Sequence, residues 1–297
     1  MTALRFIARR LFRPRTAVRS LVLGLWTAAV FSGGLSIGSS IGFGGVAFAQ
    51  SLNFGSGESD LPIEIYADDG IEWQQENLVF LARGNARAVR GEVEVRADVL
   101  TAYYRETPKG GTDIWRLNAD GTVRISSPGE KAYGEKGVYD VDNGILVLSG
   151  GRVRLVTKDD VITADRQLEY WEKKQMAVAR GNASAVRGDK RLRADVLAAY
   201  FRKDKNGRSA IYRVEAFDNV RIKTAKDDAR ADRAVYNVQS GIVTLAGSVK
   251  IIRGRNQLRG CRAEINLNTG ISKLFSCGPP GAGGKPVRGV IQPVKKK

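Results

Sequence analysis

Aspartate recurs directly behind alanine in successive segments, as at Ala67-Asp68, Ala97-Asp98, Ala164-Asp165, Ala194-Asp195 and Ala231-Asp232. Carboxylates in a cleft can act as general acid and base. The spacing of these acids speaks against that chemistry. A catalytic pair is singular, whereas these acids return once per short segment, with Gly134-Glu135 and Gly260-Cys261 as drifted copies. A position that recurs with its segment is a structural position. The chain contains no histidine, which removes Ser-His-Asp and Cys-His chemistry and every His-ligated metal site. Its two cysteines, Cys261 and Cys277, cannot complete a zinc site by themselves. There is no glycine loop with Lys-Ser/Thr to hold a nucleotide. The expectation is a chain with no catalytic residue, no metal and no cofactor.

The elements that position these acids form a long repeat. Residues 82–91 read ARGNARAVRG and residues 179–188 read ARGNASAVRG, an offset of 97. The same offset relates RADVLTAYYR at 96–105 to RADVLAAYFR at 193–202, and 137–150 to 234–247. The body is one unit built twice. Val93 and Val95, Val220 and Ile222, and Val249 and Ile251 each alternate with charged residues. That period of two places apolar side chains on one face of a sheet. Turn signals at Asn143-Gly144, Asn206-Gly207, Ser240-Gly241 and Asn268-Thr269-Gly270 separate the runs. Many short strands at close spacing predict an all-β antiparallel sandwich, jelly roll or solenoid. Residues 165–179 and 194–202 have helical propensity, yet their repeat partners carry Gly turns and β-branched residues. The repeat therefore overrides propensity and predicts strands there. Gly84-Asn85 and Gly181-Asn182 suit corners or bulges, because both residue types tolerate unusual backbone angles.

The ends of the chain differ from its body. Six arginines precede any acid, an apolar run follows from Leu21 to Phe31, and a Gly/Ser-rich stretch ends at Ala47-Phe48-Ala49. That order describes a cleavable export signal over 1–49, with Gln50 as the first mature residue, then a flexible stretch over 50–60. Of the formal charge of +17, the leader carries six and the tail five, which leaves +6 for the repeat body. This balance suits an anionic partner but is no nucleic-acid fingerprint. Residues 278–297 are rich in Gly, Pro and Lys and are expected to be a disordered basic tail. Cys261 and Cys277 flank the last hairpin, and pairing about its turn sets them opposite each other. A cross-strand disulfide is predicted, as fits an exported chain.

Leu61-Pro62-Ile63-Glu64-Ile65, Ala67-Asp68 and a later Gly84-Asn85 resemble the opening of the LptA/OstA family of lipopolysaccharide (LPS) transport proteins. The recurring Ala-Asp, Tyr, Gly-Asn phrase over 61–277 is similar too. The resemblance implies a twisted, V-shaped OstA-like β-jelly roll of stacked hairpins, here two units, 61–157 and 158–277, in one continuous groove. It implies a periplasmic carrier whose apolar interior holds lipid A acyl chains. It places Ile63 and Ile65 at the mouth of that groove. The remaining inward candidates are Ile71 and Trp73 on one face, Tyr139 with Val141, Tyr170, Val220 with Ile222, and Tyr236 with Val238. The implied partners are LPS and the inner- and outer-membrane LPS transport proteins, joined by β-strand augmentation. The same open edges allow a head-to-tail homo-oligomer. Basic residues at the rim, Arg83, Arg87, Arg180, Arg221 and Lys223, are candidates for phosphate contact and equally for a solvated sheet face.

Three other readings compete. An exported β-solenoid scaffold with a dry core explains the repeat equally well, and the volume inside the sheet decides against or for it. A partner of the same pathway anchored by a retained 21–49 is the next, and the mature amino terminus decides that one. An exported hydrolase comes last, since it would have to work without histidine.

Overall fold

A computed structural model describes residues 62–108, 110–205, 209–278 and 286–292. The expected leader and the stretch 50–60 lie outside the described residues, as does most of the tail. Every regular element described is a strand. The first unit holds β1 (Glu64–Tyr66), β2 (Gly70–Gln74), β3 (Val79–Arg90), β4 (Val93–Glu106), β5 (Thr112–Ser127), β6 (Glu130–Asp140), β7 (Ile145–Ser149) and β8 (Val153–Thr157). The second begins with β9 (Val161–Ala164), β10 (Gln167–Trp171), β11 (Met176–Arg187) and β12 (Lys190–Lys203). It continues through β13 (Ser209–Lys223), β14 (Asp227–Asn237), β15 (Ile242–Arg253) and β16 (Asn256–Asn266) to β17 (Ser272–Phe275) and β18 (Arg288–Val290). Residues 165–179, helical by propensity, are strands β10 and β11, as the repeat predicts.

The long strands pair antiparallel with their neighbours in chain order. The short ones lie end to end along one edge of a long strand, β1 and β2 on β3 and β17 and β18 on β16. The units join where β7 meets β10 and β8 meets β9, so all eighteen strands form one sheet.

Every long pairing breaks register at the same level. The shift falls between Arg83 and Ala86 in β3, between Arg180 and Ala183 in β11, and between Ala246 and Val249 in β15. Bulges at a common level bend a sheet sharply along one line. Leu192 and Leu197 lie on opposite sides of the break in β12 yet line one cavity. The sheet is therefore folded over this crease into two walls. Wall A contains β2, β7, β10 and β17. Wall B contains β1, β8, β9 and β18, and each long strand contributes half of itself to each wall.

The crease explains the repeated acids and glycines. Gly84 and Asn85 both have positive φ, 75° and 43°, as do Gly181 and Asn182 at 86° and 42°. The second residue of each pair reaches back to the acid of the preceding segment. Asn85 Nδ2 donates to Asp68 Oδ2 at 2.8 Å, and Asn182 Nδ2 donates to Asp165 Oδ2 at 3.1 Å. Asn219 Nδ2 donates to Asp195 Oδ2 at 2.8 Å in the same way. A Cβ added at Gly121, where φ is 73°, would overlap the Asp98 carboxylate. The Ala-Asp acids are crease residues.

The interior is filled at the bottom of the fold. Val153, Val220, Leu245 and Val249 are essentially inaccessible there. Many of the residues packed beside them are alanines, among them Ala164, Ala183, Ala216 and Ala263. Small side chains let the walls approach near the crease, and larger ones take over further up.

Cys261 and Cys277 are joined, with Cα atoms 5.1 Å apart. The register differs from expectation by one residue: Arg262 faces Phe275, so the nominal partner of Cys261 is Ser276. The tail expectation needs correction at residues 286–292. Arg288–Val290 forms β18 on the free half-edge of β16, and Gln292 N–H donates to Asn256 Oδ1 at 3.1 Å. Composition weighs side-chain burial, whereas this strand is held through its backbone with all three residues exposed.

Two measurements check these features. Replacing both cysteines by serine is expected to lower stability by about 3 kcal/mol in denaturant unfolding. Gly121→Ala is expected to cost about 1–3 kcal/mol, because it strains a left-handed backbone position and crowds Asp98.

Candidate functional site

Among the described residues, two cavities open between the walls in the upper part of the fold. The larger, ≈ 180 Å³, lies between the walls of the second unit and reaches back to β5 and β6 of the first. The smaller, ≈ 70 Å³, lies within the first unit. Leu146 and Ile125 line both, so the interior continues across the junction of the repeats. A void of roughly 10–15 Å³ suffices for one water, and an apolar cavity of about 150 Å³ stays dry and admits benzene. The larger cavity has room for an apolar group of that size.

Its walls follow from strand alternation. In β12 the inward side chains are Leu197, Ala199 and Phe201, and in β13 they are Ile211, Val214 and Ala216. Tyr170 meets Phe201 edge-on at 6.4 Å. Burial, reinforced by the Glu172 carboxylate, pushes the Tyr170 hydroxyl up to about 12. Burial and Glu172 likewise raise Tyr139, whose hydroxyl donates to Glu172 Oε1 at 2.8 Å. Burial also raises Tyr236. All three tyrosines remain neutral at ordinary pH, so the lining carries no phenolate.

One charged pair stands at the lip of wall B. Arg187 donates from Nε to Asp160 Oδ1 at 2.8 Å and from Nη2 to Asp160 Oδ2 at 2.5 Å. Asp160 is only 7% exposed, and both residues line the larger cavity. The residue 97 positions before Asp160 is Ile63, which lines the smaller cavity. The two units thus share a lining and differ at the lip.

Most sequence-predicted site residues meet in these cavities. Ile63, Ile65, Ile71 and Tyr139 line the smaller one. Tyr170, Ile222, Tyr236 and Val238 line the larger one. Three do not. Val220 follows the bulge at Asp218-Asn219 and is packed at the crease, 2% exposed. Val141 lies in the turn after β6, where its N–H donates to Trp115 O at 3.0 Å, and lines neither cavity. Trp73 is 56% exposed, stacks on Phe80 at 5.3 Å and donates Nε1–H to the Tyr104 hydroxyl at 2.8 Å. Leu146, Leu168, Leu192 and Phe201 line the larger cavity as well; Leu168 and Leu192 alternate with polar neighbours in the sequence, whereas Leu146 lies in an apolar run and Phe201 beside Tyr200, where alternation gives no signal.

The basic rim candidates are engaged internally. Arg83 lies 3.6 Å from Glu72, and Arg87 lies 3.4 Å from Glu94. Arg221 pairs with Asp228, and the charge of Lys223 also bears on that carboxylate. Arg180 contacts Glu169 at 2.5 Å. Burial works to raise the Glu169 carboxyl, but hydrogen bonds from Arg180, Gln167 and Trp171 outweigh it and hold the group below the usual range. These arginines are thus paired with carboxylates of the protein itself, one of which, Glu169, is buried.

Comparison with known proteins fits this architecture. The family described as LptA/(LptD N-terminal domain) LPS transport protein matches residues 64–167 and again residues 161–271. The second match begins 97 residues after the first, the offset of the repeat. An uncharacterized protein of Rhizobium meliloti (strain 1021) is 30% identical over 101 residues, covering 33% of this chain and 54% of that protein. The chain thus spans about half the length of this curated relative. Among solved structures, LptH, the LptA homologous periplasmic component of the LPS transport device from Pseudomonas aeruginosa, aligns with a TM-score of 0.38 and 20% identity. That alignment covers 45% of this chain and 95% of LptH. Two matches in tandem span the folded sheet from β1 through β16, and the chain belongs to the LptA/(LptD N-terminal domain) family of LPS transport proteins.

Proposed function

We propose that this protein is a periplasmic carrier that holds LPS by its acyl chains between the two walls and forms part of a bridge to the outer membrane. The observation that carries the reading is the ≈ 180 Å³ apolar cavity that the side chains leave unfilled. A scaffold with a dry core would have that space filled. Family membership supports the same reading. An acyl segment of about ten methylenes would gain on the order of 8 kcal/mol on burial, micromolar affinity before the cost of ordering the ligand. The lining can therefore hold lipid without phosphate contacts, with the sugar-phosphate head in water. Export would deliver the chain to its site of action. Directional movement would draw on an energy source in a partner.

Partners would add strands at the ends of the sheet. Among the described residues, no strand pairs with the outer edges of β1 and β2 or of β17 and β18. Exposed apolar side chains stand beside both edges, Ile71 and Trp73 at one and Ile271 and Ile291 at the other. Open edges of this kind invite augmentation.

A photo-reactive phenylalanine analogue in place of Tyr236 is expected to crosslink to added LPS, and the same analogue at the exposed Arg233 is not. Ala199→Trp should lower the Tyr236 adduct by about tenfold, since filling space for two methylenes removes about 1.6 kcal/mol. Adducts at Arg233 alone, or an unchanged yield in folded Ala199→Trp, would count against the carrier.

A further inference from the structure

The pairing registers bring together basic residues that the sequence keeps apart. On the outer face of wall B, Arg87 lies opposite Arg96, and Arg96 lies opposite Arg124. The row continues through Tyr133 to Arg154, then passes Thr163 and Ser184. From there Arg193, Arg221, Arg230, Lys250, Arg259 and Arg288 follow one another on successive strands. Neighbouring strands lie about 4.8 Å apart, so this is a ladder of cations along the length of the wall. Like charges directly opposite one another in a sheet are destabilising, and a row of them needs a compensating partner.

Acids on the protein compensate only part of it. Glu94 takes Arg87 at 3.4 Å and Arg96 at 2.5 Å, and Asp228 takes Arg221 and, at 3.8 Å, Arg230. Among the described residues, Arg124, Arg154, Arg193, Lys250, Arg259 and Arg288 have no carboxylate within 4.0 Å. The outer face of wall A is different. There the exposed arginines Arg83, Arg213 and Arg262 each sit on a glutamate, while Arg202 and Arg233 lie over the Tyr212 and Phe217 rings. Six cations of a single row thus lack a carboxylate on wall B, whereas three arginines of wall A are paired with glutamates.

We propose that the outer face of wall B is a docking surface for an anionic lipid bilayer. This goes beyond carriage in the interior and does not depend on it. Charge complementarity selects an anionic partner, and the ends of the ladder select a lipid one. At one end Arg288 is flanked by exposed Val287, Val290 and Ile291, the last 78% exposed. At the other end Tyr66, 46% exposed, stands under Arg87 at 4.2 Å. Cations beside exposed aliphatic and aromatic groups suit a headgroup interface, whereas a soluble polyanion would leave the apolar groups in water.

The test is flotation of the full chain with phosphatidylglycerol-containing vesicles and with pure phosphatidylcholine vesicles. Binding only to the anionic vesicles, weakened when salt is raised from about 0.05 to about 0.5 M, is expected. Arg193→Gln, Lys250→Gln and Arg259→Gln together should reduce it by about tenfold or more. A control of equal charge loss, Lys136→Gln, Arg233→Gln and Lys273→Gln, should change it by less than about twofold. Equal loss in both variants, or no binding by the parent chain, overturns the proposal. Tighter binding to soluble polyphosphate than to vesicles at equal phosphate, lost in the ladder variant, would assign the face to a soluble polyanion and overturn it too.

Discussion

Everything in this molecule depends on one crease. At the same level in the long strands, a bulge breaks the register and turns the sheet back on itself. The bulge is built from left-handed residues such as Gly84-Asn85 and Gly181-Asn182, fixed by hydrogen bonds to Asp68 and Asp165 of the preceding segments. Without that line the sheet would be a single twisted layer with one apolar face in water. With it, both halves of a strand present apolar side chains to one interior, and the crease itself is filled by Val153, Val220 and Val249. Because each acid steadies the next segment's bulge, the crease propagates from layer to layer through both repeats.

The cavity is the complement of that arrangement. Alanines close the walls near the crease, and the splay of the walls above it outruns what Leu197, Phe201 and Ile211 can fill. The surrounding polar groups are arranged to leave the interior apolar. The tyrosines stay protonated, Asp160 and Arg187 satisfy each other at the lip, and Glu169 with Arg180 is satisfied on the outside.

The sequence carried the fold further than the site. The offset of 97 residues exposed the repeat, and it outweighed the helical propensity of residues 165–179 because register in a stacked sheet is set by neighbours rather than by local preference. Tyr139 and Tyr236 were legible as inward residues from the repeat, and Ile63 from the family resemblance of the opening segment. Val220 was not, because a bulge two residues earlier shifts the phase and moves it from lining to crease. Trp73 was misplaced because a short strand at the open end has no wall above it. The tail strand Arg288–Val290 escaped notice because backbone pairing leaves no apolar pattern. The basic ladder was invisible for a related reason: its members stand one to a strand, and only the pairing registers bring them into a row.

The central claim is that the folded sheet keeps an apolar slot open for acyl chains. A crystal structure of the protein with bound LPS tests it most directly. The account predicts acyl density between wall A and wall B, in contact with Phe201 and Tyr236, with the sugar-phosphate head outside the lip. Side chains of Phe201 and Leu197 closing the slot, with lipid density found only on outer faces, would contradict it.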